Sequence, residues 1–280
     1  MNKYTKNIIR ITGGLGNQMS QYAFMHERGK KQHVPIALDI TSYRVARLSG
    51  YMVHNGYELE RVFGIKQSAS VWEIVRAGGW LYYAMVVARK LGLFSRVKSV
   101  GAVCVEQNPE HYYKYIAHYQ ENSGTYFQGY FINPQYYANN SDDLREIFSF
   151  PEYDNVNKPV ANKICSTESV GVHLRRTDRG ELQGGGSVDD LDYYKRAIAW
   201  IQAHTESPQF FVFSNDPKWC KNTLQIENAE YITHNGGELA YRDMQLLSEC
   251  KHLIVASSSF SFWAGLLSNQ SIGYIIHYQK

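Results

Sequence analysis

The sequence predicts an α/β protein made of two parallel-sheet regions, and three observations carry that reading. Short apolar runs beginning at Val170, Phe210, Glu230, Leu253 and Ile272 alternate with amphipathic stretches. That alternation builds a doubly wound parallel sheet with helices on its faces. The chain opens with a second strand–turn–helix–strand unit around Gly13-Gly-Leu-Gly16. Between the two regions, Pro, Asn, Asp and Lys cluster over residues 151–159, the composition of a domain boundary. The predicted domains are 1–155 and 156–280.

In the first domain the pattern predicts a strand over Ile8–Thr12, a glycine turn, a helix over Asn17–Gly29 and a strand over Val34–Asp39. Gly14-Leu-Gly16-Asn-Gln-Met19 lacks the third glycine of a dinucleotide fingerprint. The amides of Asn17 and Gln18 have two uses: capping the helix, or facing a cleft and binding a polar ligand. Further on come helical periodicity over Val71–Arg89, a tyrosine-rich stretch over His111–Tyr119 and a strand over Gly124–Phe131. In the second domain the strands are Val170–Arg175, Phe210–Ser214, Glu230–Thr233, Leu253–Ala256 and Ile272–Ile276. The helices are Asp190–His204, Pro217–Leu224, Glu238–Glu249 and Phe260–Leu267.

A chain of 280 residues with 44% hydrophobic and 20% charged residues has ample core. A net charge of +3 is too mild to indicate a nucleic-acid partner. The 22 tyrosines and five tryptophans suit a sugar-lined cleft or simply a core. Cys104, Cys165, Cys220 and Cys250 have neither CxxC nor metal-finger spacing, which fits free thiols in a reducing compartment. The polar start Met1-Asn-Lys-Tyr-Thr-Lys-Asn7 does not read as a secretory signal, so the expected location is cytoplasmic. The apolar stretch Gly78–Ala88 is shorter than the roughly 20 residues that cross a bilayer. It is flanked by Arg76, Arg89, Lys90, Arg96 and Lys98. Such a helix either packs into its domain or lies on an anionic membrane surface as a peripheral contact; base rates favour packing.

Chemistry gathers at the carboxyl ends of the C-terminal strands, where doubly wound sheets bind ligands. The run Val170-Gly-Val-His-Leu-Arg-Arg-Thr-Asp178 delivers His173, Arg175, Arg176 and Asp178 to one strand end. Adjacent arginines there need an anionic partner, either a structural Arg–Asp network or a phosphate whose oxygens match the guanidinium fork. Ser214-Asn-Asp216 follows the next strand, and Ser257, Ser258 and Ser259 lead into a helix after another. A serine at a helix start is ordinarily an N-cap; three facing paired arginines shift the reading towards a pyrophosphate at a helix N-terminus. Asp216 can cap its helix or accept hydrogen bonds from a base such as guanine. No Walker lysine loop is present. A carbohydrate-binding module without turnover is the contrasting class, but a neutral glycan does not need these arginines and serines.

Four segments in order along the chain resemble the GDP-fucose-dependent α-1,2-fucosyltransferases, glycosyltransferase family 11. They are Gly13-Gly-Leu-Gly-Asn-Gln-Met-Ser-Gln-Tyr-Ala-Phe24, His173-Leu-Arg-Arg-Thr-Asp178, Phe213-Ser-Asn-Asp-Pro-Lys-Trp-Cys220, and Asp243-Met-Gln-Leu-Leu-Ser-Glu-Cys-Lys-His252 leading to Ala256-Ser-Ser-Ser-Phe-Ser-Phe-Trp-Ala264. The resemblance implies a GT-B-like fold of two Rossmann-type domains, with the donor in the C-terminal one. It also implies GDP-β-L-fucose as donor substrate, no cofactor, a metal-independent inverting mechanism, and transfer to a β-galactoside glycan. That glycan can be lipid-linked, as in O-antigen assembly at the inner face of the cell membrane. His173, Arg175 and Arg176 match the donor-binding signature, Asp216 the position near guanine, Ser258 and Ser259 (with Ser257 before them) the serines near the β-phosphate, and Asn17 the glycine-loop amide. Arg-Arg-Thr-Asp followed by Arg179 and Glu181 is also similar to α-1,6-fucosyltransferases, so that linkage, or another donor sugar, is the alternative. For the chemistry, Arg176 would stabilise the leaving pyrophosphate. Glu181 and Asp178 are the candidate general bases.

Overall fold

The computed structural model describes residues 6–50, 54–90, 103–105, 124–137, 141–175, 191–268 and 273–277. The chain divides into two compact units, Met1–Ser149 and Phe150–Lys280. This division falls a few residues before the boundary expected from composition, because the Pro-rich segment packs within the second unit. Phe150 stacks on Tyr241 at 6.5 Å, Arg242 Nη1 donates to the Pro151 carbonyl at 2.9 Å, and Asp154 Oδ1 accepts from Asn157 N at 2.8 Å.

The first unit runs β1 (Asn7–Arg10), α1 (Leu15–Gln32), β2 (Ile36–Asp39), α2 (Thr41–Leu48), α3 (Leu59–Phe63), α4 (Val71–Arg76), α5 (Gly79–Lys90), β3 (Val103–Val105), β4 (Tyr126–Gln128) and α6 (Ser141–Ile147). Its sheet is parallel in every pair, with strand order β2-β1-β4-β3. α1 is buried over most of its length: Met19, Ala23, Phe24 and Met25 are all excluded from solvent. Phe24 stacks on Phe131 at 4.0 Å and meets Phe127 and Tyr136 edge-on, which fixes the helix on the sheet and on the chain after β4.

The helical patches expected over Val71–Arg89 are two helices, α4 and α5. Gly78 adopts φ +84°, a left-handed conformation that ends α4. α5 then passes so close that a Cβ on Gly79 would sit 2.5 Å from Ile74 Cγ2 and 2.9 Å from Tyr126 Cε2. The strand expected over Gly124–Phe131 is only three residues long, since Phe131 turns left-handed at φ +49° and Asn133 caps the next turn. His111–Tyr119 lies outside the described residues.

The second unit runs α7 (Asn157–Cys165), β5 (Glu168–Leu174), α8 (Leu191–His204), β6 (Pro208–Ser214), α9 (Pro217–Leu224), β7 (Glu230–Ile232), α10 (Tyr241–Ser248), β8 (His252–Val255), α11 (Ser259–Leu266) and β9 (Ile275–His277). All pairs are parallel and the order is β7-β6-β5-β8-β9. Val170, Val172 and Leu174 from β5, Phe210 and Val212 from β6, and Ile254 from β8 share a core with Tyr194 and Ile201 of α8. Gly171 is where α10 approaches the central strand, because a Cβ there would meet Leu247 Cδ1 at 2.4 Å. The helix expected from Glu238 begins at Tyr241; Gly237–Leu239 form a separate 3₁₀ turn.

Candidate nucleotide-sugar site

The strand order puts three of the expected segments side by side. β5 lies between β6 and β8, with His173 in register with Phe213 on one side and Val255 on the other. The chain leaving β5 (Arg175), β6 (Ser214-Asn-Asp216) and β8 (Ala256–Ser259) therefore emerges at one carboxyl edge, where parallel α/β sheets take their ligands. Arg175 is exposed just past the end of β5. Arg176, Asp178 and Glu181 lie outside the described residues.

His173 is buried, and its ring stacks on Phe260 of α11 at 5.1 Å. Burial, followed by the charge of Arg175, pushes its imidazole down to about 3, so it is neutral near pH 7. Its Nδ1 is buried without a hydrogen-bond partner among the described residues. An unsatisfied ring nitrogen beside a strand end costs stability unless a ligand satisfies it.

Ser258 caps α11: its Oγ accepts from Phe260 N at 3.2 Å. Ser257 is exposed and Ser259 half-buried at the first helical position, while Ser261 turns inward to the carbonyls of Ala256 and Ser258. Asp216 caps α9 by accepting from Trp219 N at 3.1 Å, and its own N–H donates to Ser214 Oγ at 3.0 Å. Both residues thus perform the capping role open to them from sequence, and both do so at the edge where a ligand would sit.

One half-buried carboxyl at this edge was not singled out by its sequence context. Asp243, in the first turn of α10, accepts from Asn235 Nδ2 at 2.9 Å, and burial pushes it up to about 7. Asn235 also exchanges hydrogen bonds with Asn157 at 2.8 and 3.0 Å, and Asn157 is held by Asp154. This network locks the chain after β7 to the start of α7. In sequence Asp243 resembles any solvated helix acid; only packing reveals it.

In the first unit, Asn17 is partly buried and leans over Gly13, whose Cβ, if present, would lie 2.5 Å from Asn17 Nδ2. Gly13 has φ +83°. Gln18 neither caps α1 nor faces outward. It is fully buried, donating to the carbonyls of Gly13 (3.0 Å) and Gly56 (2.8 Å) and to Tyr43 Oη (3.2 Å), and accepting from Glu58 N (2.9 Å). Gln21 accepts from Thr12 N and donates to the Gly129 carbonyl. The two glutamines fasten the glycine loop to distant segments. At the carboxyl edge of the same sheet, Arg10 Nη1 donates to Tyr82 Oη (2.8 Å) and Gln128 Oε1 (3.4 Å), and its Nε is buried without a partner among the described residues. Buried Asp39 ends β2, accepting from Tyr126 Oη (2.6 Å), Tyr83 Oη (3.0 Å) and Thr41 N (2.9 Å). Among the described residues no cluster of His, Cys, Asp or Glu is arranged to hold a metal ion.

Two parallel-sheet units, the second with arginine, histidine and serine chain ends at its carboxyl edge, define a GT-B-like glycosyltransferase. The model of glycosyl transferase family 11 matches residues 107–280, and the chain belongs to that family. It is 27% identical over 277 residues to an alpha-1,2-colitosyltransferase of Escherichia coli, covering 96% of this chain and 90% of that one. It is 32% identical over 114 residues to human galactoside alpha-(1,2)-fucosyltransferase 1, covering 39% of this chain and 31% of that protein. The match thus spans less than a third of the human relative. Among solved structures, fucosyltransferase NodZ from Bradyrhizobium superposes with a TM-score of 0.54 at 14% identity, covering 94% of this chain and 92% of NodZ. POFUT1 in complex with GDP-fucose gives 0.51 at 11% identity, covering 100% of this chain and 99% of that chain. These likenesses show the fold.

Proposed function

We propose that the chain transfers L-fucose from GDP-β-L-fucose to a galactoside hydroxyl of a glycan, forming an α-1,2 linkage with inversion and without a metal. The observation that carries this reading is the shared carboxyl edge of β5, β6 and β8. There a neutral His173 with an unsatisfied Nδ1, exposed Arg175 and the capped start of α11 converge. Family membership and the named activities of the relatives support the reaction class.

In this reading His173 Nδ1 and the Asp243 carboxyl recognise the base; Asp216 is held in its cap, which leaves it less free for that task than the sequence suggested. Arg175, Arg176, Ser258 and Ser259 stabilise the pyrophosphate as it gains charge on departure, the moment when cationic help lowers the barrier. The first unit supplies the acceptor side, with Asn17 at the glycine loop and Arg10, Tyr82 and Gln128 as polar groups suited to sugar hydroxyls. Asp178 and Glu181 remain the base candidates. The acceptor is a surface glycan precursor such as lipid-linked O-antigen, and the enzyme works in the cytoplasm. Colitose, the 3-deoxy counterpart of fucose, is the second reading for the donor sugar, favoured by the near full-length similarity to a colitosyltransferase.

The test offers GDP-fucose, GDP-colitose, GDP-mannose and UDP-galactose with a β-galactoside acceptor, with and without EDTA, and follows product mass and linkage. Transfer from GDP-fucose alone, unaffected by EDTA, is the expected result, with Arg175→Ala lowering kcat by about a hundredfold or more. Transfer from GDP-colitose alone selects the second donor, and absence of any GDP-sugar turnover rejects both.

A further inference from the structure

Two consecutive helices of the first unit turn an apolar face to solvent. On α4, Val71, Trp72, Val75 and Arg76 are exposed, and their spacing places them on one side of the helix. The opposite side carries Ile74 and Ala77 into the core with Ile8, Ala37 and Tyr126. On α5, Trp80, Ala84 and Val87 are exposed at the same helical spacing. The fractions are large: 78% for Trp72, 69% for Val71, 57% for Val87 and 54% for Trp80. Two tryptophans left in water on adjoining helices exceed the scatter of single surface apolar residues that needs no explanation.

Exposed basic residues predominate along the chain around this face. Arg44 and Arg47 of α2, Lys66 and Arg76 are exposed. Arg44 Nη2 reaches Ser68 Oγ at 3.4 Å, tying α2 to the segment that leads into α4. Over α2, residues 66–70 and α4, the one acid is Glu73. Its carboxylate is already engaged by Lys6 Nζ at 2.7 Å and by Ser70 in a capping box, and these contacts hold it down at about 2. The acid is therefore paired, while Arg44, Arg47, Lys66 and Arg76 are exposed on α2, on α4 and on the segment leading into α4.

We propose that this face, Val71, Trp72, Val75, Trp80 and Val87 together with Arg44, Arg47, Lys66 and Arg76, docks the protein on an anionic lipid bilayer. Tryptophan rests at the headgroup level, where its ring is apolar and its N–H stays wet. Basic side chains beside it are drawn to the negative leaflet, each worth about a fivefold gain in partitioning near the surface. A second copy of this chain is the poorer occupant, because a two-fold contact through the same face would set the arginines of the two copies against one another. No helix among the described residues is long and apolar enough to cross a membrane, so the contact is one that lies on the surface. The inference rests on this face alone and is independent of the donor and acceptor proposed above.

The full chain is sedimented with vesicles of phosphatidylcholine alone and with vesicles of equal parts phosphatidylcholine and phosphatidylglycerol. The expected result is binding to the anionic vesicles, weakened by added salt and at least about tenfold stronger than to the neutral ones. The double variant Trp72→Ser, Trp80→Ser should lose at least about tenfold in vesicle partitioning with an unchanged melting temperature, both side chains being exposed. Failure to bind anionic vesicles overturns the proposal, as does full retention of binding in the variant. A dimer in solution that the same variant dissociates would also overturn it, by assigning the face to a second copy.

Discussion

Burial disfavours the charged form of both His173 and Asp243, yet their effects on stability run in opposite directions with pH. Between about 3 and the ordinary histidine value of 6.5, the unfolded chain binds a proton at residue 173 that the folded protein does not. His173 therefore makes the fold less stable as pH falls through that window. Asp243 keeps its proton in the folded state up to about 7 but releases it near 3.8 when unfolded. It therefore makes the fold more stable as pH falls from 7 towards 4. In the native protein the two slopes oppose each other where the windows overlap. Replacing one residue should expose the other. His173→Phe should gain melting temperature relative to the parent as pH is lowered from about 7 to about 5, and Asp243→Asn should lose it. Calorimetry over that range checks both signs, and parallel curves for parent and variants would refute the assignment.

At the scale of elements, the site depends on how tightly α10 is pressed onto β5. Gly171→Ala would place a methyl group 2.4 Å from Leu247 Cδ1 and 3.0 Å from Cys250 Sγ. The substitution should cost about 1–3 kcal/mol in urea unfolding. It should also weaken GDP binding, because α10 carries Asp243. Most of this unit was legible from sequence because its strands are buried on both faces and so read as continuous apolar runs. Asp216-Pro217 announces the start of α9, which is found over the expected Pro217–Leu224. What stayed hidden depends on contacts distant in sequence. The close approach of α5 to Tyr126 at Gly79, just past the break at Gly78, is one such contact. The setting of Asp243 comes from Asn235 and its partner Asn157 in α7, and the grouping of Arg10 with Tyr82 and Gln128 joins three elements. The polar character of Gln18 suggested a ligand amide. Four partners on the glycine loop, α2 and residues 56–58 make it a structural pin instead.

At the scale of the whole molecule, the two units should respond unequally to nucleotide. GDP at about a hundred times its Kd stabilises whatever binds it by roughly 2.7 kcal/mol. Hydrogen exchange with and without GDP should show new protection around Arg175, Phe213–Asp216 and Ser257–Phe260, while β1, β2 and β4 of the first unit change little. Protection confined to the first unit would move the donor site out of the second.

The strand order β2-β1-β4-β3 also governs how the chain is made. β1 and β2 can pair as soon as residue 39 has left the ribosome, but the other side of β1 belongs to β4, which begins at Tyr126. β3 is synthesised earlier than β4 yet has its pairing with β4, so it too must wait. At about 5–20 residues per second, the growing chain carries an open edge of Ile8 and Ile9 for on the order of 5–15 s. An unpaired parallel edge is a template for wrong partners. The first unit thus needs shelter during translation, and chains cut short before Tyr126 should collect as aggregates.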